Sequence, residues 1–168
     1  TVSFLDMSLY DNSENRLINM LKDGNYDFIG LTSYINTIKD ANRIAGVIKQ
    51  YSNAKIVIGG VHASALPLET LEIFKNFDYL VYGEGEKTFT ELVTGNKIPD
   101  IKGLVWRDNG KIVQNPPQIP IEDLDTLPFP ARNLLDIYKY IPLPGNSYRL
   151  PSTGILSSRG CPYQCTYC

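Results

Sequence analysis

A three-layer α/β/α sandwich around a doubly wound parallel sheet is the fold class that this sequence predicts. Two observations predict it. Between residues 2 and 95, short apolar runs alternate four times with stretches of helical periodicity, the pattern of parallel strands joined by crossover helices. Several runs are continuously apolar rather than alternating, as strands covered on both faces are.

The elements follow in order. "TVSFLDM" has strand character, and "NSENRLINMLKDG" after it reads as a helix. Asn12 or Ser13 can cap that helix, Leu17, Met20 and Leu21 share a face, and Gly24 sits where a C-cap belongs. "YDFIGLTSY" is the second strand. Ile38, Ala41, Ile44, Ala45, Ile48 and Tyr51 then fall at spacings of three and four, one side of a helix. "AKIVIGGV" is the third strand. The next helix carries Leu68, Leu71, Phe74 and Phe77, with Pro67 near its first position. "DYLVYGEGE" is the fourth strand, and Phe89, Leu92 and Val93 mark a last helix ending at Gly95. Together these make a flavodoxin-like sheet whose ligands would sit beyond the carboxyl ends of its strands.

After Gly95 the texture changes. Two short runs around Asp108, Asn109 and Gly110 give an Asn-Gly hairpin signal. The Pro-rich stretch from Asn115 to Asn146 reads as extended linker, with one short helix near 133–138. "TGILSSRG" is a new strand-like run leading into the final segment. The expected divisions are 1–98, a sheet domain; 99–150, hairpin and linker; and 151–168, the start of something further.

Composition narrows the function. The net charge is −2, which offers no basic footprint for nucleic acid. No apolar run approaches membrane-spanning length, and the first ten residues lack a signal peptide's basic and apolar regions. All three cysteines lie in the last eight residues, which argues against a disulfide scaffold and for a reducing cytoplasm.

The strand ends carry candidate site residues. Gly59 and Gly60 close an apolar strand, either as a tight strand-to-helix turn or as a floor that something approaches closely. Thr32, Ser33, Asn36 and Thr37 cluster polar groups at another strand end, for ligand contact or for helix capping. "GEGE" at 83–86 lacks the spacing of a dinucleotide fingerprint, and its two carboxylates would repel phosphate. Glu84 or Glu86 could accept hydrogen bonds from ligand amides or hydroxyls, or favour a helix N-terminus. His62 is the only histidine, placed just past the two glycines; it is a structural residue or a metal or cobalt ligand.

The closing "GCPYQCTYC" holds Cys161, Cys165 and Cys168 in a Cys-x-x-x-Cys-x-x-Cys spacing. A structural zinc would want a fourth ligand, and a disulfide would leave one thiol over. A four-iron cluster suits three thiolates, with one iron open for chemistry. This loop, with Tyr167 before its last cysteine, resembles the cluster loop of radical S-adenosylmethionine enzymes. "DFIGLTSY", "IVIGGVHAS", "FDYLVYGEGEKTFTELV" and "LDTLPFPAR" extend the match. They are similar to the cobalamin-binding domain and linker of the cobalamin-dependent members, which include methyltransferases and the anaerobic oxidative cyclase of magnesium-protoporphyrin ester.

The resemblance implies a cobalamin-binding sheet domain and three cofactors: cobalamin, a [4Fe-4S] cluster and S-adenosylmethionine. It puts Thr32 and Tyr34 on the Ser-x-Leu positions of the cobalamin fold, and Gly59 and Gly60 on its Gly-Gly floor. Ser33, His62, Gly83, Glu84 and Tyr167 join them as cofactor contacts, and Cys161, Cys165 and Cys168 become cluster ligands. The fold's Asp-x-His-x-x-Gly loop, which ligates cobalt from below, has no counterpart here. The resemblance also implies that a first strand and helix precede Thr1, that "TVSFLDM" is the second strand, and that a catalytic barrel follows Cys168. The chain is then expected to be an inactive piece of an enzyme of radical methyl transfer or oxidative cyclisation. That enzyme would act on a small molecule, in the cytoplasm, without nucleic acid or membrane, and the chain itself could pair as a homodimer. The contrasting expectation is a non-catalytic receiver- or flavodoxin-like domain with a C-terminal zinc site.

Overall fold

A computed structural model describes residues 1–142, 145 and 148–166. The residues Glu14–Ile121 form one compact unit, and Thr1–Ser13 with Glu122–Cys168 form a second.

The first of these is built on a five-stranded sheet in the order β1-β2-β3-β4-β5, with β1 Phe28–Thr32, β2 Lys55–Gly59, β3 Tyr79–Val81, β4 Leu104–Asp108 and β5 Lys111–Gln114. The first three strands are parallel: Phe28 to Thr32 pair with Lys55 to Gly59, and Val57 and Ile58 with Tyr79 and Leu80. The helices are α1 Ser13–Asp23, α2 Ile38–Tyr51, α3 Val61–Ala65, α4 Pro67–Ile73 and α5 Gly85–Val93. Four of them match the periodicity of the sequence, although α4 ends at Ile73, before the Phe74 and Phe77 expected on it, and Pro67 takes the first turn of α4, where its missing N–H costs nothing.

The hairpin expected at Asn109-Gly110 is present, with φ of 47° and 84° at the two turn residues, the left-handed pair that a type I′ turn requires. It does not stand apart from the sheet. Val105 and Leu104 of β4 pair antiparallel with Leu80 and Val81, so the hairpin extends the parallel core into a mixed sheet. Asn115, buried at its end, ties it down. Its side-chain amide donates to the carbonyls of Ile98 and Ile101 and accepts from the Trp106 indole, while its own carbonyl accepts from the Tyr82 hydroxyl. Every polar group of this buried amide is thereby satisfied, as burial demands.

Pleating sends neighbouring residues to opposite faces. Val57 and Val81 join Leu92 of α5, Ile101 and Leu104 in one cluster, with Phe28, Tyr79, Ile98 and Trp106 at its margin. Their strand neighbours Ile56, Ile58 and Leu80 are fully buried as well. The opposite face is covered by helices: α3 lies against β2 and β3, and α4 against β3, β4 and β5.

Three expectations are corrected. The run "TVSFLDM" is not a strand: Val2 and Phe4 are exposed. Asp6 accepts hydrogen bonds from the Ser8 backbone N–H and hydroxyl, turning the chain into a 3₁₀ turn at Met7–Leu9. The parallel set therefore has three strands rather than four, and β1 pairs with β2 alone among the described residues. The run "TGILSSRG" also forms no strand; Ile155 and Leu156 lie exposed without a ladder partner. The helix expected near 133–138 is two 3₁₀ turns, Arg132–Leu134 and Ile137–Lys139. A helix not expected, α3, follows Gly60 directly.

In the second unit Asp6 also accepts from the Tyr140 hydroxyl at 2.7 Å, and Lys139 pairs with Asp136 and lies over the Tyr10 ring. The Asp6 carboxyl is held below its ordinary value, chiefly by the Ser8 hydroxyl; burial opposes this, and the Tyr140 hydroxyl and the Ser8 backbone N–H add to the lowering. Tyr140 is pushed up to about 12, first by that same bond to Asp6.

Candidate functional site

The carboxyl ends of β1, β2 and β3 open onto a cleft of about 360 Å³. Five of its ten lining residues are glycines: Gly30, Gly59, Gly60, Gly83 and Gly85. The others are Leu31, Val57, Val81, Glu86 and Phe89, so the walls are apolar with one carboxylate at the rim. The cleft lies on the face of the sheet that α5 covers, and the ring of Phe89 stands across from Gly30.

The glycines are not equivalent. Gly60 has φ of 95°, and a Cβ there would come within 2.6 Å of Thr32 Oγ1 and 2.8 Å of the Ser33 carbonyl oxygen. It is needed by the turn itself, because the β1 and β2 ends touch at this point. The Ser33 N–H donates to the Gly59 carbonyl at 3.1 Å, and the His62 N–H to the Ser33 carbonyl at 3.3 Å. Gly30 and Gly59 are different. The nearest atom to a Cβ on Gly30 is Phe89 Cζ at 4.0 Å, and on Gly59 the Val81 carbonyl at 3.7 Å. The protein itself would tolerate side chains there, and those side chains would enter the cleft. Gly83, with φ of 75°, donates its N–H to Ser64 Oγ and holds the β3 loop against α3.

The predicted site residues divide accordingly. Gly59, Gly60 and Gly83 line the cleft, and Thr32 and Ser33 abut its turn. Ser33 is buried, and its hydroxyl has no hydrogen-bond partner among the described residues. Such an orphan is uncommon in a native interior. Tyr34 is exposed beside Ile35, and Val61 is exposed past Gly60, so the strand ends present apolar side chains to solvent. The Thr37 hydroxyl is engaged in its own loop, where it accepts from the Tyr34 N–H. His62 is buried in α3. Glu84 is half-buried, and its Oε2 accepts the Ile121 N–H at 2.7 Å. Cys161 and Cys165 are free and exposed; Tyr167 and Cys168 lie outside the described residues. Among the described residues no group of three metal-ligating side chains converges, and no helix is long and apolar enough to cross a membrane.

Sequence reasoning missed Gly30 and Phe89. Gly30 carried a usable signal, a glycine inside an otherwise apolar strand, which often marks close approach of a ligand. Phe89 carried none, because its helical spacing reads the same whether it meets core or cleft.

The glycine-floored cleft has room for a slim group lying against the backbone. Residues 1–93 match the model of the B12 binding domain. An uncharacterized methyltransferase of Pyrococcus horikoshii, PH0819, is 31% identical over 99% of this chain and 36% of its own length. The anaerobic magnesium-protoporphyrin IX monomethyl ester cyclase of Rubrivivax gelatinosus is 30% identical over 99% of this chain and 31% of its own length. The chain thus spans about a third of the length of the curated relatives it matches. Among solved structures, the radical S-adenosylmethionine methyltransferase TsrM of Kitasatospora setae, determined with cobalamin and a [4Fe-4S] cluster bound, shares the fold. Its TM-score is 0.57 at 23% identity, over 65% of this chain and 22% of that one. The cleft at the strand ends and the match over residues 1–93 lead to one statement of kinship: this chain belongs to the B12-binding domain family.

Proposed function

We propose that this chain is the cobalamin-binding part of a radical S-adenosylmethionine enzyme, and that the cleft takes the slender tail of the corrin cofactor. The observation that carries the reading is the pair Gly30 and Gly59, which the fold does not need and the cleft does. A glycine inside a strand costs roughly 0.5–1 kcal/mol against alanine, so its place here suits a ligand that lies on the backbone. Thr32 and the orphaned Ser33 hydroxyl supply hydrogen-bonding groups beside the turn. Tyr34, Ile35 and Val61 supply an apolar platform for the corrin face.

Bound cobalamin supplies a cobalt centre able to carry a methyl group. Cys161, Cys165 and Cys168 are the residues that would hold a four-iron cluster, which three thiolates suit, and that cluster would supply the electron for cleaving S-adenosylmethionine. The parent enzyme's reaction is a radical methyl transfer or an oxidative cyclisation on a small molecule. Relatives of both kinds match the chain along nearly its whole length.

Titration with hydroxocobalamin, followed by visible absorption, tests the cleft. The wild type should bind, and Gly30→Val, whose Cβ would meet nothing closer than Phe89 Cζ at 4.0 Å, should fold and lose at least tenfold in affinity. Equal binding by both would refute the cleft assignment, and no binding by a folded wild type would refute the cofactor.

A further inference from the structure

The segment that follows the hairpin does not leave the sheet at once. The Pro116 carbonyl accepts the Gly103 N–H at 2.8 Å, and the Gln118 side chain packs at 3.1 Å from where a Cβ on Gly103 would stand. The Ile121 N–H then ends on Glu84 Oε2. Residues 115–121 therefore run as a strap from the hairpin to the loop after β3, and Ile121 closes the compact unit that begins at Glu14.

Glu84 lies between Gly83 and Gly85, and Glu86 follows; those three line the cleft. One four-residue loop thus touches the cleft with its backbone and the strap with its carboxylate. A neutral backbone N–H given to a carboxylate is among the stronger hydrogen bonds a protein makes. The first Glu of the "GEGE" run thus has a task within the chain itself.

We propose that Glu84 is a positioning residue: through Ile121 it fixes the point at which the linker departs, at the rim of the cleft, and it is not a contact of the cofactor. The loop 83–86 then joins cleft and linker, and a ligand that steadies the loop also steadies Ile121, a coupling that thermodynamics makes reciprocal. The anchor stands on its own geometry; only the ligand arm of the test rests on the cobalamin reading.

Hydrogen exchange by mass spectrometry on the whole chain tests it, for wild type, Glu84→Gln and Glu84→Ala. Exchange at Ile121 should rise roughly tenfold in Glu84→Ala, as loss of a charged hydrogen bond implies, and by less in Glu84→Gln, which keeps an uncharged acceptor. Exchange at Leu80 and Val81 should stay unchanged, showing the sheet intact. Hydroxocobalamin should slow Ile121 exchange in the wild type, and should bind Glu84→Ala within about threefold of wild type. Unchanged Ile121 exchange in Glu84→Ala would overturn the anchor. So would a tenfold loss of cobalamin affinity with Ile121 still protected in Glu84→Ala, because Glu84 would then be a cofactor ligand. If the wild type bound no cobalamin, the cofactor reading would fail, while the exchange comparison in Glu84→Ala would still decide the anchor. Should Glu84→Ala expose the sheet, Glu84→Gln carries the same comparison.

Discussion

Gly60 and Gly30 both floor the cleft, yet a methyl group has opposite consequences at the two positions. At Gly60 it demands a left-handed backbone from an L-residue and collides with Thr32 and the Ser33 backbone. Gly60→Ala should cost about 2 kcal/mol or more in urea unfolding, so any loss of ligand in that variant reflects the turn. At Gly30 a methyl meets only the Phe89 ring, at 4.0 Å, and Gly30→Ala should be neutral or gain a few tenths of a kcal/mol. The pair Asp6–Tyr140 makes a different residue-level prediction. The Asp6 carboxyl lies below its ordinary 3.8, so its contribution to stability is complete above that value and is lost as pH falls through the depressed one. Tyr140, raised to about 12, contributes fully below its ordinary 10 and loses that contribution as pH rises through about 12. Carboxyl NMR titration should find Asp6 depressed in the wild type and closer to 3.8 in Tyr140→Phe. An unmoved Asp6 in that variant would deny the bond.

Between β4, β5 and the loop after α5, one side chain joins three elements. Asn115→Ala would leave the Ile101 carbonyl and the Trp106 indole without that partner, while the Ile98 carbonyl would keep the Ile101 N–H. Each buried polar group left unpaired costs roughly 1–3 kcal/mol, so thermal or urea unfolding should show a loss of about 2–4 kcal/mol. A loss below 0.5 kcal/mol would mean that water replaces the amide. The hairpin was legible because Asn-Gly states its own turn geometry. That it would complete the main sheet was not, since β4 could have paired elsewhere; pairing depends on which apolar edge β3 offers. The strands expected at "TVSFLDM" and "TGILSSRG" failed for the same reason. Strand character is a fit to a neighbour, and neither segment has a neighbour to pair with among the described residues.

Across the whole molecule, the cysteine loop and the sheet unit are separate matters. Cys161 and Cys165 are exposed, and cluster sulfides depend on hydrogen bonds and shielding from water. Anaerobic iron–sulfide reconstitution of this chain should therefore yield no stable cluster absorption, while on the proposed reading the parent enzyme should take up about four irons. Cys165→Ala in the parent should abolish that uptake together with cleavage of S-adenosylmethionine. One zinc and no iron in the parent would instead favour a structural metal site.

The sequence by itself determined the alternation of strand and helix, the hairpin turn, the cysteine spacing and the glycines at 59, 60 and 83. Each is local: a periodicity of apolar residues, a φ that only glycine adopts easily, a ligand spacing along one loop. Only the tertiary structure decided the rest. It showed which glycines serve the turn and which the cleft, that Phe89 walls a cavity, and that Glu84 faces the chain's own linker. Among the described residues it also gave β1 only β2 as a partner. These depend on which residues meet across more than twenty positions of chain. Distant contacts are chosen by shape and by pairing of backbone groups between elements, and no short stretch of sequence records that choice.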